Sequence, residues 1–184
     1  MAAESRAKLT RESHADAYYW PLTPSKCVTL WLAIDDVDAE NGPMKFVSQS
    51  HRHGPIHHDQ SAAEEQNVLS LTVPEAESWG SEVAVIAPLK AGQASLHSDM
   101  LLHSSDANSS SRRRCGVALT YHTPDVRFNV VGDHSPEDFY GFVCRGHDSS
   151  GYWPEDVAPP EGDFVPRRDA EKGLLDPLVD RSKL

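Results

Sequence analysis

The sequence predicts an all-β domain, a sandwich or barrel with minor helix. Short segments rich in β-branched and aromatic residues recur along the chain. Turn residues separate them, and little helical periodicity lies between. With 184 residues, 39% hydrophobic and 24% charged, the chain has the size and composition of one globular domain.

Composition also excludes classes. No apolar run approaches the roughly 20 residues that span a bilayer, so no membrane partner is expected. The start, MAAESRAKLTRES, lacks the apolar core of a secretory signal. A net charge of −11 disfavours nucleic acid, whose phosphates want a basic face. Cys27, Cys115 and Cys144 are widely spaced and form no CxxC pair, which points to a reducing compartment. The terminal Ser182-Lys183-Leu184 is a tripeptide read by the peroxisomal import receptor. The peroxisome is therefore the favoured address and the cytoplasm the second.

Residues 1–13 read as a polar lead-in. In HADAYYWPLTP, His14 and Asp16 are two apart. If the segment is extended, both side chains leave one face. An imidazole and a carboxylate pointing together make two thirds of a 2-His-1-carboxylate facial triad. The plainer reading is a solvated pair. CVTLWLAI, from Cys27, reads as a strand, apolar throughout and so covered on both faces. In DDVDAENGPM, Asn41-Gly42 marks a tight turn needing positive φ. Its acidic residues lack EF-hand spacing and read as a solvated turn. Lys45 to Val47 reads as a short strand. Ser48 to Asp59 holds His51, His53, His57 and His58, either a second metal site or, preferably, a loop with incidental histidines. Residues 60–80 read as a loop that could cover a pocket. Val83 to Leu89 reads as a strand, and Lys90-Ala91-Gly92 as a turn.

Gln93 to Leu102 is extended and delivers His103. His97 lies on the same face, but a straight strand would put it ~18 Å or more away at ~3.3 Å per residue. Only one of the two histidines can then serve a metal. From His103 the chain reads HSSDANSSSRRR, followed by a strand from Cys115 to Thr123. The stretch is expected to form a hairpin whose first strand carries His103 and whose second carries Arg114. Adjacent strand residues face opposite ways, so only one of Arg113 and Arg114 points inward. Arg112 shares parity with Arg114 but sits nearer the turn. Ser104, Ser105 and Ser109 to Ser111 lack the glycines of a nucleophile elbow and read as a hydroxyl-rich turn. Phe139 to Arg145 reads as a further strand or an apolar anchor. The tail, 146–184, follows the domain at 14–145, with Gly151 to Pro154 as its anchor.

The ends of an antiparallel barrel can bring His14 and Asp16 to His103. Three protein ligands on octahedral iron(II) leave three positions open. A 2-oxo acid takes two of these and dioxygen (O2) the third. The far carboxylate of 2-oxoglutarate needs a cation, and Arg114 is placed to supply a two-pronged fork.

HADAYYWPLTP, VTLWLAIDDVDAENGPMKFVSQSHRHG and GQASLHSDMLLHSSDANSSSRRRCGVALTYHTP, in that order, resemble the phytanoyl-CoA dioxygenase family of iron(II)/2-oxoglutarate oxygenases. The resemblance implies a double-stranded β-helix, or jelly-roll (cupin-like) barrel. It implies that His14, Asp16 and His103 ligate iron(II) and that Arg114 holds the distal carboxylate. Ser105 corresponds to a hydroxyl assisting that arginine, and Trp31 to an aromatic lining the cosubstrate pocket. The implied reaction oxidises 2-oxoglutarate to succinate and carbon dioxide and hydroxylates an unactivated C–H bond of a small or lipid-derived metabolite. A halogenase branch replaces the carboxylate ligand with a small residue, so Asp16 favours hydroxylation. The chain departs from the family pattern in two places. SQSH, Ser48 to His51, replaces a PGSH-like turn. Only 13 residues precede His14, where the family has helices and an early barrel strand, so the barrel is expected to lack these. A truncated jelly-roll that binds metal or ligand without turnover is the alternative. A zinc hydrolase ranks third because it gives Arg114 no role.

Overall fold

The computed structural model describes residues 13–20, 22–60, 71–73, 84–128 and 143–153. These contain β1 (Leu22–Thr23), β2 (Cys27–Ala33), β3 (Met44–Val47), β4 (Asp59–Gln60), β5 (Leu71–Thr72), β6 (Ala84–Ala87), β7 (Ala94–Ser98), β8 (His103–Ser105), β9 (Gly116–His122) and β10 (Arg127–Phe128). Helix is confined, among the described residues, to single 3-10 turns at Asp16–Tyr18 and Ser50–His53. No helix among them is long and apolar enough to cross a membrane.

Two antiparallel three-stranded sheets, β7-β2-β9 and β6-β3-β8, form the body. The chain passes from one sheet to the other between β2 and β3, β6 and β7, β7 and β8, and β8 and β9. That winding is a double-stranded β-helix, or jelly roll. It corrects the expected hairpin: β8 and β9 lie in different sheets, so His103 and Arg114 arrive from opposite walls. β4 and β5 pair at one side, and β1 with β10 at another. Phe139–Arg145 falls mostly outside the described residues, as does most of 60–80.

β2 shows why the strands sit as they do. Its β-branched and aromatic residues suit a pleated ladder, and its burial alternates residue by residue. Cys27, Thr29, Trp31 and Ala33 are buried, while Val28 on the opposite face is 38% exposed. The expectation of a strand covered on both faces is therefore corrected. The outer face of this sheet, with Leu96, Val117, Leu119 and Tyr121, remains open. Inside, Trp31, Ala33, Val37 and Met44 form one core, with Phe46 and Leu89 against it. The second sheet is closed on its far side by another core of Val47, Ile56, Val73, Ala84 and Leu102. Burial of the inner core, worth about 1.5–3 kcal/mol for a side chain such as Val37 or Met44, holds the two walls together.

The turns follow their residues. Gly42 has φ +81°, as Asn41-Gly42 requires, and a Cβ there would meet the Asp106 carbonyl oxygen. Asn41 is buried and locks the turn, accepting from the Asp38 N–H at 2.7 Å and donating to the Asp36 carbonyl at 2.8 Å. Trp153, in the expected anchor of the tail, is buried and donates its indole N–H to the Val126 carbonyl at 3.0 Å. Burial pushes the Cys27 thiol up to about 12, with Asp99 beside it adding, so the thiol is inert.

At Gly116, a Cβ would lie 2.2 Å from Trp31 Cζ2, inside the ring's own space. Gly116→Ala is expected to cost about 1–3 kcal/mol of stability by overpacking. Its urea unfolding midpoint should fall, and the Trp31 contribution to fluorescence should shift.

Candidate metal and cosubstrate site

The site starts from a pair of backbone hydrogen bonds. His14 N–H donates to the His103 carbonyl and His103 N–H to the His14 carbonyl, both at 2.9 Å. This antiparallel pair places the two imidazoles side by side, with ring centroids 4.3 Å apart. Ala15 is extended (φ −119°, ψ 130°), so His14 and Asp16 leave one face as their spacing predicts. Asp16 Oδ1 lies 3.8 Å from His14 Nε2 and 3.7 Å from His103 Nε2. One ligand atom from each of His14, Asp16 and His103 falls within 4.8 Å of the others.

The donors suit a divalent ion. His103 Nδ1 faces the Leu101 carbonyl at 2.8 Å, and a carbonyl only accepts. Nδ1 therefore carries the proton and Nε2 is left as the lone-pair nitrogen towards the cluster. Burial holds the His103 imidazole below its ordinary value, with His97 adding and Asp16 opposing, which favours the neutral ligand form. Burial acts to raise the Asp16 carboxyl. The His97 side chain, His103 and His14 outweigh it and keep the group below the usual carboxylate range.

His97 corrects the straight-strand estimate. β7 ends at Ser98, and the Leu101 N–H donates back to the Ser98 carbonyl at 3.0 Å. That turn folds the chain into the other sheet. The His97 and His103 rings end only 4.5 Å apart by centroid.

His58 is the functional position that pattern reading missed. It is buried, whereas His51, His53 and His57 are exposed. Its Nδ1 faces the Ile56 carbonyl at 2.7 Å and its Nε2 accepts the Ala15 N–H at 3.0 Å. The ring stacks on Tyr18 with centroids 4.0 Å apart. So one loop histidine grips the backbone between His14 and Asp16. No sequence signal separates it from its neighbours, because burial and not spacing distinguishes it.

The three arginines are sorted by their partners. Arg112 forks onto Asp38 at 2.7 and 2.9 Å, and Arg113 onto Asp35 at 2.7 and 2.9 Å. The acidic turn read as merely solvated therefore has a role, which is to engage these two cations on the outside. Arg114 turns inward, with its guanidinium 5.1 Å from the centroid of the Trp31 ring and NH2 3.8 Å from Met44 Sδ. Its Nε is buried without a hydrogen-bond partner, and no carboxylate among the described residues reaches it. Lys45, the buried cation of β3, is paired with Asp106. Ser105 stands opposite Met44 in the β3–β8 ladder, on the same face as His103. A half-buried guanidinium whose fork meets no described carboxylate fits an anionic ligand carboxylate.

A jelly roll that brings two histidines and one carboxylate within reach of one ion has the donor set of a facial-triad non-heme iron site. The chain belongs to the family described as Phytanoyl-CoA dioxygenase (PhyH), whose model matches residues 3–116. Iron and 2-oxoglutarate are the cofactors on which that family depends. Among solved structures, the non-heme monooxygenase ThoJ in its apo form is 28% identical, with a TM-score of 0.59, covering 87% of this chain and 56% of its own. The ThoJ–Ni complex is 27% identical, with a TM-score of 0.54, covering 87% and 54%. EvdO2 from Micromonospora carbonacea var. aurantiaca, complexed with 2-oxoglutarate, shares the fold at 21% identity and a TM-score of 0.52, covering 71% and 51%. The chain thus spans about half the length of these proteins. No curated protein matches the sequence.

Two predictions follow from the ligand and its support. The unfolded chain protonates His103 near pH ~6.5, and the folded chain only at lower pH. The stability tied to neutral His103 is complete above that value and is lost as pH falls below it. The urea midpoint of metal-free protein should drop below pH ~6.5, and less steeply in His103→Gln. His58→Ala leaves the Ala15 N–H buried without its acceptor, and should lower unfolding free energy by about 1–3 kcal/mol, read by urea titration.

Proposed function

We propose that this chain is an iron(II)- and 2-oxoglutarate-dependent dioxygenase that hydroxylates an unactivated C–H bond of a small or lipid-derived metabolite. The observation that carries the reading is the convergence of His14, Asp16 and His103 in a fold that also turns Arg114 inward, where no described carboxylate engages it. When bound, iron(II) and 2-oxoglutarate supply the chemistry, in which oxidation of the cosubstrate to succinate and carbon dioxide is coupled to hydroxylation.

The chain's own residues orient that chemistry. His14 and His103 offer ring nitrogens and Asp16 a carboxylate oxygen. Arg114 offers its fork to the distal carboxylate, and the Trp31 face beneath it helps keep water away. Ser105, on the wall that carries His103, adds a hydroxyl towards the same carboxylate. Retention of Asp16 favours hydroxylation over halogenation. Delivery to the peroxisome is proposed on Ser182-Lys183-Leu184 alone, which lies outside the described residues.

A second reading, binding without turnover, draws support from β9. Among the described residues β9 is an edge strand, exposed at Gly116, Val117, Ala118, Leu119, Thr120 and Tyr121 on both of its faces. Succinate release from 2-oxoglutarate by the full chain separates the two readings. It should require iron(II) and disappear in His103→Ala and Asp16→Ala. Arg114→Ala should raise the KM for 2-oxoglutarate about 10- to 100-fold, the loss expected for charge-assisted hydrogen bonds. Folded protein that binds iron(II) but releases no succinate would overturn the oxygenase reading in favour of the second.

A further inference from the structure

The two oxygens of Asp16 face different neighbours. Oδ1 faces His14 and His103, as described. Oδ2 accepts a hydrogen bond from Thr29 Oγ1 at 3.1 Å and lies 3.7 Å from His97 Nε2. Thr29 Oγ1 is in turn 3.3 Å from Thr120 Oγ1. These three residues occupy one row of a single sheet: Thr29 is opposite His97 on one side and Thr120 on the other. Strand pairing thus sets three polar side chains in line on the inner face, ending at one carboxylate oxygen.

His97 is the notable member of this row. Its side chain is 2% exposed, and neither ring nitrogen has a hydrogen-bond partner. A buried imidazole without partners costs free energy comparable to a lost hydrogen bond on each nitrogen. Phe46 and His103 pack against its ring, with centroids 5.1 and 4.5 Å away, so the ring is confined beside Asp16. Since Thr29 gives its hydroxyl proton to Asp16, its oxygen is free to accept from Thr120. The donation is then polarised in one direction along the row.

We infer that the row His97–Thr29–Thr120 positions Asp16, holding Oδ2 so that Oδ1 alone is presented to a metal. A carboxylate that gives one oxygen occupies one coordination position, whereas a two-oxygen grip would take a second that the cosubstrate requires. Thr29 and His97 are positioning residues and touch no ligand of the reaction themselves. The inference rests on the proposed metal site at His14, Asp16 and His103. Thr29 and His97 lie on a sheet row outside the ligand motif and act on the carboxylate from the side away from the histidine pair.

Cobalt(II) titration of the metal-free full chain tests it, reading affinity by calorimetry and ligand geometry by the visible absorption of the ion. Thr29→Val removes the hydroxyl that donates to Oδ2, and His97→Phe removes the imidazole 3.7 Å from it, both at similar volume. Each should weaken cobalt(II) about 10- to 100-fold, as loss of an outer-shell partner does, and should alter the absorption spectrum. Thr29→Ser keeps the hydroxyl and His97→Gln keeps a polar group beside Oδ2, and both should recover most of the affinity. Folded Thr29→Val and His97→Phe with parental affinity and spectrum would overturn the inference. If those variants fail to fold, Thr29→Ala decides: affinity about 10-fold or more below that of Thr29→Ser supports the row, and equal affinity overturns it. A parent chain that binds no cobalt(II) overturns the metal site itself, and the row with it.

Discussion

Everything in the candidate site depends on the reciprocal backbone pair between His14 and His103. One of these residues sits at the start of the described chain and the other on β8. Their sequence separation is large, and loop closure over it must be offset by the two sheets that flank the pair. Once the two N–H groups and carbonyls are exchanged, the imidazoles have nowhere to go but side by side. The extended backbone at Ala15 then brings Asp16 to the same point. His58 and Thr29 hold that short segment from two directions, one through the backbone and one through the carboxylate.

A second constraint is the sorting of charge around the acidic turn. The net charge of −11 leaves abundant carboxylates, and two of them, Asp35 and Asp38, take Arg113 and Arg112 at the surface. In Asp38 the Arg112 guanidinium and the Glu40 N–H hold the carboxyl down to about 2, so the pair stays ionised throughout the physiological range. Surface pairs of this kind contribute little stability. Their consequence is directional: they fix the chain just before residue 114 and leave Arg114 alone facing the interior. Burial pulls the Arg114 guanidinium down from its ordinary value, though it remains charged. A charge kept there without a described carboxylate partner makes sense as a seat for an incoming one.

The all-β architecture, the short strand at Lys45–Val47, the turns at Gly42 and Gly92 and the convergence of the HxD pair were legible because each is a local rule. Alternation, positive φ and two-residue spacing act over a few residues. Local rules fail where the chain turns. A straight strand puts His97 and His103 far apart, but the hydrogen bond from Leu101 back to Ser98 bends the chain. The stretch from His103 to Arg114 has the pattern of a hairpin, yet its ends belong to different sheets. The composition of β2 is apolar throughout, and composition cannot say what lies above a sheet.

By itself, the sequence determined the residue types available for metal and carboxylate chemistry, the faces on which neighbouring side chains lie, and the family to which the chain belongs. Only the tertiary structure decided which histidine of four in the Ser48–Asp59 loop is buried, which carboxylates Arg112 and Arg113 engage, and that His97 lies against Asp16. The physical reason is that these outcomes depend on partners far along the chain. Burial, ion pairing and cross-sheet packing are set by residues 43, 78 and 81 positions away, and no short-range pattern encodes them.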